Sequence, residues 1–160
     1  MTGPGYDVLV GVHVLSAVIG FGSVGLSGTY AARARSSSSP RDDATVLRYF
    51  HPGTNWAERA LLVTPVLGAV VLFAGDRNAV SQAWPWIGLG AWAVAAALVS
   101  AWCWPAERRV QAWLANAGRG DPGGTDLAGF RDACKAVQWS ASAISVCFAV
   151  AVVVMVGQPR

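Results

Sequence analysis

Apolar residues along this chain gather into four long runs, divided by segments rich in arginine, aspartate, serine, proline and glycine. A run of about 18 or more apolar residues is long enough to cross a hydrocarbon layer as a helix, and too long for a strand or helix of a soluble core. The pattern predicts helices over 7–32, 55–74, 84–104 and 126–156, the third continuing beyond Pro105 as an amphipathic extension to 117. No alternation long enough to read as strand competes with these runs, and no internal repeat is visible. The expected fold class is therefore all-α, an integral membrane bundle of four transmembrane helices forming a single membrane domain over 1–160.

Punctuation supports these bounds. Arg33 to Arg41, with four serines and Pro40, reads as a polar, flexible connector. Asp42 and Asp43 are positioned to cap a short helix ending near Phe50, before Pro52-Gly53 breaks the chain. Asn55 followed three residues later by Glu58 reads as a capping pair for the second long helix. Pro65 lies inside that helix and removes one of its backbone hydrogen bonds, which predicts a kink. Gly75-Asp76-Arg77-Asn78 ends it, and Thr125 is placed to cap the fourth. The residues before the first run contain no Lys or Arg, and the run outlasts a signal-peptide core, so it is expected to be a retained helix.

Charge sets the orientation. Arg33, Arg35, Arg41 and Arg48 lie in the connector 33–54, and Arg108, Arg109, Arg119, Arg131 and Lys135 in 105–135. Arg77 and Arg160 fall on the other side, with Arg59 at the start of the second helix. Basic residues stay with cytoplasmic loops, which puts both connectors in the cytoplasm and both the N-terminus and the C-terminus outside it. Trp84 and Trp86 at one end of the third helix, and Trp102 and Trp104 at the other, fit the two interfacial belts.

Only 13% of residues are charged, against roughly 25% in soluble domains. The net charge of +3 follows the membrane topology and includes a single lysine, so no nucleic-acid partner is expected. The three cysteines are too few for a disulfide framework; Cys103 and Cys134 fall near the expected cytoplasmic face, where thiols stay reduced.

Few side chains could carry chemistry. His13 sits about two turns into the first helix, where an ionisable group is costly and often functional. A neutral imidazole there could ligate haem or copper, or simply bond a neighbouring helix or water. The other histidine, His51, should differ from it in depth by roughly 25 Å at 1.5 Å per residue, too far for both to bind one iron. A haem with one histidine and a methionine, or one shared between subunits, stays open. Cys147 and Met155 are soft ligands suited to Cu(I) and equally ordinary apolar fillers; no Cys-x-x-Cys, Met-x-x-Met or His-x-x-x-His spacing accompanies them. Glu58 has a capping role to hand and proton transfer as the alternative; Arg59 is expected to snorkel toward lipid headgroups.

The first helix also carries a stripe of small residues: Gly11, Ser16, Gly20, Gly22, Ser23, Gly25, Ser27 and Gly28. Ser16 and Gly20, and Ser23 and Ser27, have the spacing that lets two backbones approach. The stripe serves packing within the chain or a partner interface, with Gly88 and Gly90 as the surface expected to face it. No hydrolase triad, carboxylate pair, phosphate loop or zinc motif is present.

His13-Val14-Leu15-Ser16-Ala17 with Phe21-Gly22, then Asn55-Trp56, Thr64-Pro65 and Gly68, and finally Trp139 and Met155 to Pro159 resemble an uncharacterised bacterial family of four-helix integral membrane proteins. That family is loosely similar to copper-resistance-D membrane proteins. This chain has Asn55 where the family carries an acidic residue. The resemblance implies a multi-pass protein of the bacterial plasma membrane and supplies no activity. The expectation is a non-enzymatic accessory or scaffold subunit whose partners are the lipid bilayer and other membrane subunits, or itself. No cofactor is expected; a haem- or copper-handling protein using His13 is the alternative, and a small transporter that oligomerises is a third reading.

Overall fold

A computed structural model of the chain describes residues 3–75, 80–117 and 126–157. Arg77, Arg119, Thr125, Gln158, Pro159 and Arg160, invoked above, lie outside the described residues. Those that are described form helices and no strand: α1 (Pro4–Ser36), α2 (Ala44–Tyr49), α3 (Trp56–Ala74), α4 (Ala83–Leu98), a π-helical turn (Val99–Cys103), α5 (Trp104–Ala117) and α6 (Leu127–Val156).

Four helical rods are long and apolar enough to cross a membrane: α1, α3, the continuous rod Ala83–Asn116 and α6. Their most apolar stretches are only 17 to 22% buried by protein. Val14, Val18, Val63, Val66, Val146 and Val153 are each at least half exposed. Apolar side chains left bare in such number call for an apolar solvent, and hydrocarbon is the one that four such helices fit.

The ends follow local chemistry. At 33 residues α1 outruns the 7–32 read from the sequence. Pro4 opens it without forfeiting a bond, Asp7 complements its positive end, and Ser36 Oγ donates to the Arg33 carbonyl at the other. Asp43 caps α2, accepting from the amides of Thr45 (3.0 Å) and Val46 (3.4 Å). Asp126 caps α6 by accepting from the Gly129 amide at 2.9 Å.

Pro105 does not interrupt the third rod. The preceding turn widens, so that the Trp104 amide bonds the Val99 carbonyl five residues back. That wider turn accommodates a ring which would otherwise strike a carbonyl four residues back.

The chain divides into two compact units. The first comprises Met1–Ser23, Asn55–Ala96 and Ile144–Arg160, the second Val24–Thr54 and Ala97–Ala143. In the second, Val46, Phe50, Val110, Phe130 and Val137 are at most 2% exposed. Trp113 lies on Phe130 with ring centroids 4.1 Å apart, and Tyr30 stacks on Tyr49 at 4.2 Å. The connector 33–54 is thus anchored rather than loose: Arg33 Nε reaches Asp43 at 2.8 Å and the Arg41 guanidinium lies 4.8 Å from the Trp113 ring centre. Burial of Val46 and Phe50 in α2 and its C-cap supplies the apolar anchor that the serine-rich stretch lacks.

Candidate functional site

Several polar residues of the first unit, His13 and Ser16 among them, come together where α1 meets α3. Sequence numbers fall along α1 as they rise along α3, so the two helices run antiparallel. Asn55 Nδ2 donates to Ser23 Oγ at 3.2 Å. A Cβ added to Gly20 would stand 2.5 Å from the Leu61 amide nitrogen and 2.8 Å from its Cα. Ser16 Oγ and Thr64 Oγ1 are 3.3 Å apart. The His13 ring lies against Gly68, and the Tyr6 hydroxyl against Gly75. Only a residue without a side chain allows the Gly20 approach.

Pro65 organises this seam. Without an amide hydrogen it leaves the carbonyl four residues earlier, that of Leu61, with no intrahelical donor. Trp92 of α4 supplies one: its Nε1 donates to Leu61 O at 2.8 Å. One residue from the proline, the Thr64 carbonyl faces His13 Nδ1 at 3.1 Å. A carbonyl only accepts, so Nδ1 holds the ring hydrogen and Nε2 is left with the lone pair. Ser16 Oγ donates to the His13 carbonyl at 2.7 Å, and Thr64 Oγ1 to that of Ala60 at 3.1 Å.

Two readings change. Asn55 sits at the start of α3 but makes no side-chain capping bond, because its amide is spent on Ser23. Nor do Gly88 and Gly90 form the face opposite the α1 stripe. Gly88 lies under the Met155 methyl of α6, 3.2 Å from where its Cβ would stand, and Gly90 has nothing within 4 Å. The stripe itself splits. Gly20 packs on α3 and Gly28, in the second unit, on Ala141 of α6. Gly11, Gly22 and Gly25 face open space. Ser27 is fully buried and donates to the Val24 carbonyl at 3.0 Å.

Of the remaining candidates, Glu58 falls at three-residue steps between Asn55 and Leu61, on the α3 face that forms the seam. Met155 neighbours Gly88, and Cys147, half-buried, precedes Phe148, whose ring stacks on Phe21 at 4.6 Å. His51, in the second unit, is exposed beside the Pro52 carbonyl. Glu58 is fully buried at the start of α3, and the Arg59 guanidinium lies 5.6 Å from the centre of the exposed Trp56 ring. Among the described residues, no three His, Cys, Asp or Glu side chains are grouped to hold a metal ion.

Sequence reasoning missed Trp92, Thr64 and Leu61 as members of the seam. The signal was present in Pro65: a proline within a spanning helix obliges some other donor to reach the carbonyl four residues earlier. Comparison with protein-family models, curated proteins and solved structures gives no match to this chain.

Proposed function

We propose that this chain is a multi-pass protein of a bacterial plasma membrane, with both termini outside the cytoplasm, acting as a non-enzymatic accessory or scaffold subunit of a larger assembly. The observation that carries this reading is the use made of α1. Its polar side chains are turned to structural ends, His13 on the Thr64 carbonyl and Ser23 on Asn55, while Gly11, Gly22 and Gly25 leave its other side bare. The arginine-bearing connectors support the orientation. Purification from mild detergent followed by mass spectrometry tests the reading: a stoichiometric membrane partner, or a second copy, is expected. Recovery of a lone monomer would refute it. A cysteine replacing Ser38 should react with a membrane-impermeant maleimide only after the cells are permeabilised.

One observation favours a second reading, haem or copper handling. Metal-binding histidines commonly donate their other ring nitrogen to a carbonyl, and the His13 Nδ1 bond to Thr64 leaves Nε2 in the ligating form. Further ligands would then come from Met155, Cys147 or a second subunit. An absorption band at haem wavelengths, or bound copper, that vanishes in His13→Ala would establish it; a spectrum unchanged by that substitution retires it.

A further inference from the structure

The exposed face of α6 changes character along its length. Arg131, Lys135 and Trp139 follow one another at four-residue intervals, all exposed, so they stack on one side of the helix. Ser142, Val146, Val150 and Val153 continue the same face, with Trp139 and Val153 each 69% exposed. Charge, then indole, then valine is the order a helix presents as it passes from water through the headgroups into hydrocarbon. Neither basic side chain is paired with an acidic one among the described residues. Asp132, also exposed, lies on this face three residues before Lys135, makes no ion pair with it, and leaves the face one positive charge in excess. The indoles of Trp84, Trp86 and Trp92 donate to protein oxygens, whereas that of Trp139 has no such acceptor among the described residues.

We propose that the Arg131–Lys135–Trp139 face of α6 binds the headgroup of an anionic phospholipid. The phosphate sits between the two cations, the indole N–H donates to its oxygens or to the ester carbonyls, and the acyl chains run along the valines. Charge complementarity selects an anionic lipid over a zwitterionic one, and an indole one turn inward sets the depth of the phosphate.

Native mass spectrometry of the full chain, titrated in detergent with phosphatidylglycerol or phosphatidylcholine, tests this directly. The wild type should retain phosphatidylglycerol preferentially. Replacing both cations (Arg131→Gln with Lys135→Gln) should weaken that retention by roughly 30-fold, as expected for two basic groups at an anionic surface. Arg108→Gln with Arg109→Gln removes the same charge from α5, where the tryptophan four residues after Arg109, Trp113, is buried, and should cost far less. Trp139→Leu should lower retention of both lipids. Thermal melts of each variant should match the wild type, since all these side chains but the indole are solvated and the indole is lipid-facing. Equal losses from the α5 and α6 pairs would reduce the effect to overall charge and overturn the site. So would retention unaffected by either pair, including the case in which the cations prove to bind an acidic protein instead.

Discussion

The two compact units use opposite means of cohesion. Of the twelve largest fully buried side chains among the described residues, nine belong to the second unit, Phe50, Phe130 and Val110 among them; the first holds Leu61, Ile144 and Glu58. Of the 26 exposed large hydrophobic residues among those described, 21 belong to the first. The second unit also carries nine basic and six acidic residues in sequence, the first only three of each. One unit has an apolar core and a charged skin, as water requires. The other is apolar outside and is held by close backbone approach and hydrogen bonds, as hydrocarbon requires, because lipid tails give buried leucines no advantage over exposed ones. Two buried polar atoms have no protein partner among the described residues, Trp113 Nε1 and Gln138 Oε1, both in the second unit.

The contrast breaks most readily at two phenylalanines. Phe130→Ala, in the core of the second unit, should cost about 3–5 kcal/mol in reversible unfolding from detergent micelles. Phe73→Ala, 64% exposed in the first unit, should stay within about 0.5 kcal/mol of wild type. Equal costs would mean that both units see the same solvent.

A smaller effect probes backbone approach. Gly20→Leu drives a side chain into the Leu61 backbone, which no rotamer relieves, and should cost about 3 kcal/mol in the same assay. Gly22→Leu, two residues away, meets nothing within 4 Å and should be silent.

Smaller again is the proline latch. Trp92→Phe removes the donor to Leu61 O and should cost about 1–3 kcal/mol, more than an ordinary interhelical bond, because that carbonyl has no intrahelical alternative. In a Pro65→Ala background the restored amide takes the carbonyl, and the cost of Trp92→Phe should shrink. An undiminished cost would show that the indole works through packing alone.

The smallest effect lies in the connector. The hydrogen bond from Arg33, with the capped amides of Thr45 and Val46, holds the Asp43 carboxyl below its usual value against some opposing desolvation. A folded-state value depressed below the unfolded one contributes stability at neutral pH and loses it as pH falls through the depressed value. Asp43→Asn should flatten the acid limb of the stability curve, measured by circular dichroism, by lowering stability slightly at neutral pH while leaving it unchanged in acid.

Helix number and approximate ends were legible in the sequence because hydrocarbon imposes a long, unbroken apolar run. The Asp43 cap was equally legible, being set by neighbours in the chain. The seam was only half visible. His13, Ser16, Gly20 and Ser23 stood out as polar or small residues in an apolar run, yet their partners belong to another helix, and periodicity does not give the rotation of one helix against another. That is why the facing surface was expected at Gly88 and Gly90, while Gly20 meets Leu61. Asn55 misled for a related reason: an N-cap residue with a distant partner looks in sequence like one that caps.

Footprinting in vesicles with a carbene reagent carried on lipid acyl chains addresses the solvent of each segment most directly. Label should fall on Val14, Val18, Val63, Val66, Val146 and Val153 and be absent from Val46, Phe130, Arg131 and Lys135. Unlabelled valines at those six positions, oxidised instead by hydroxyl radicals from the water, would contradict a membrane-spanning fold.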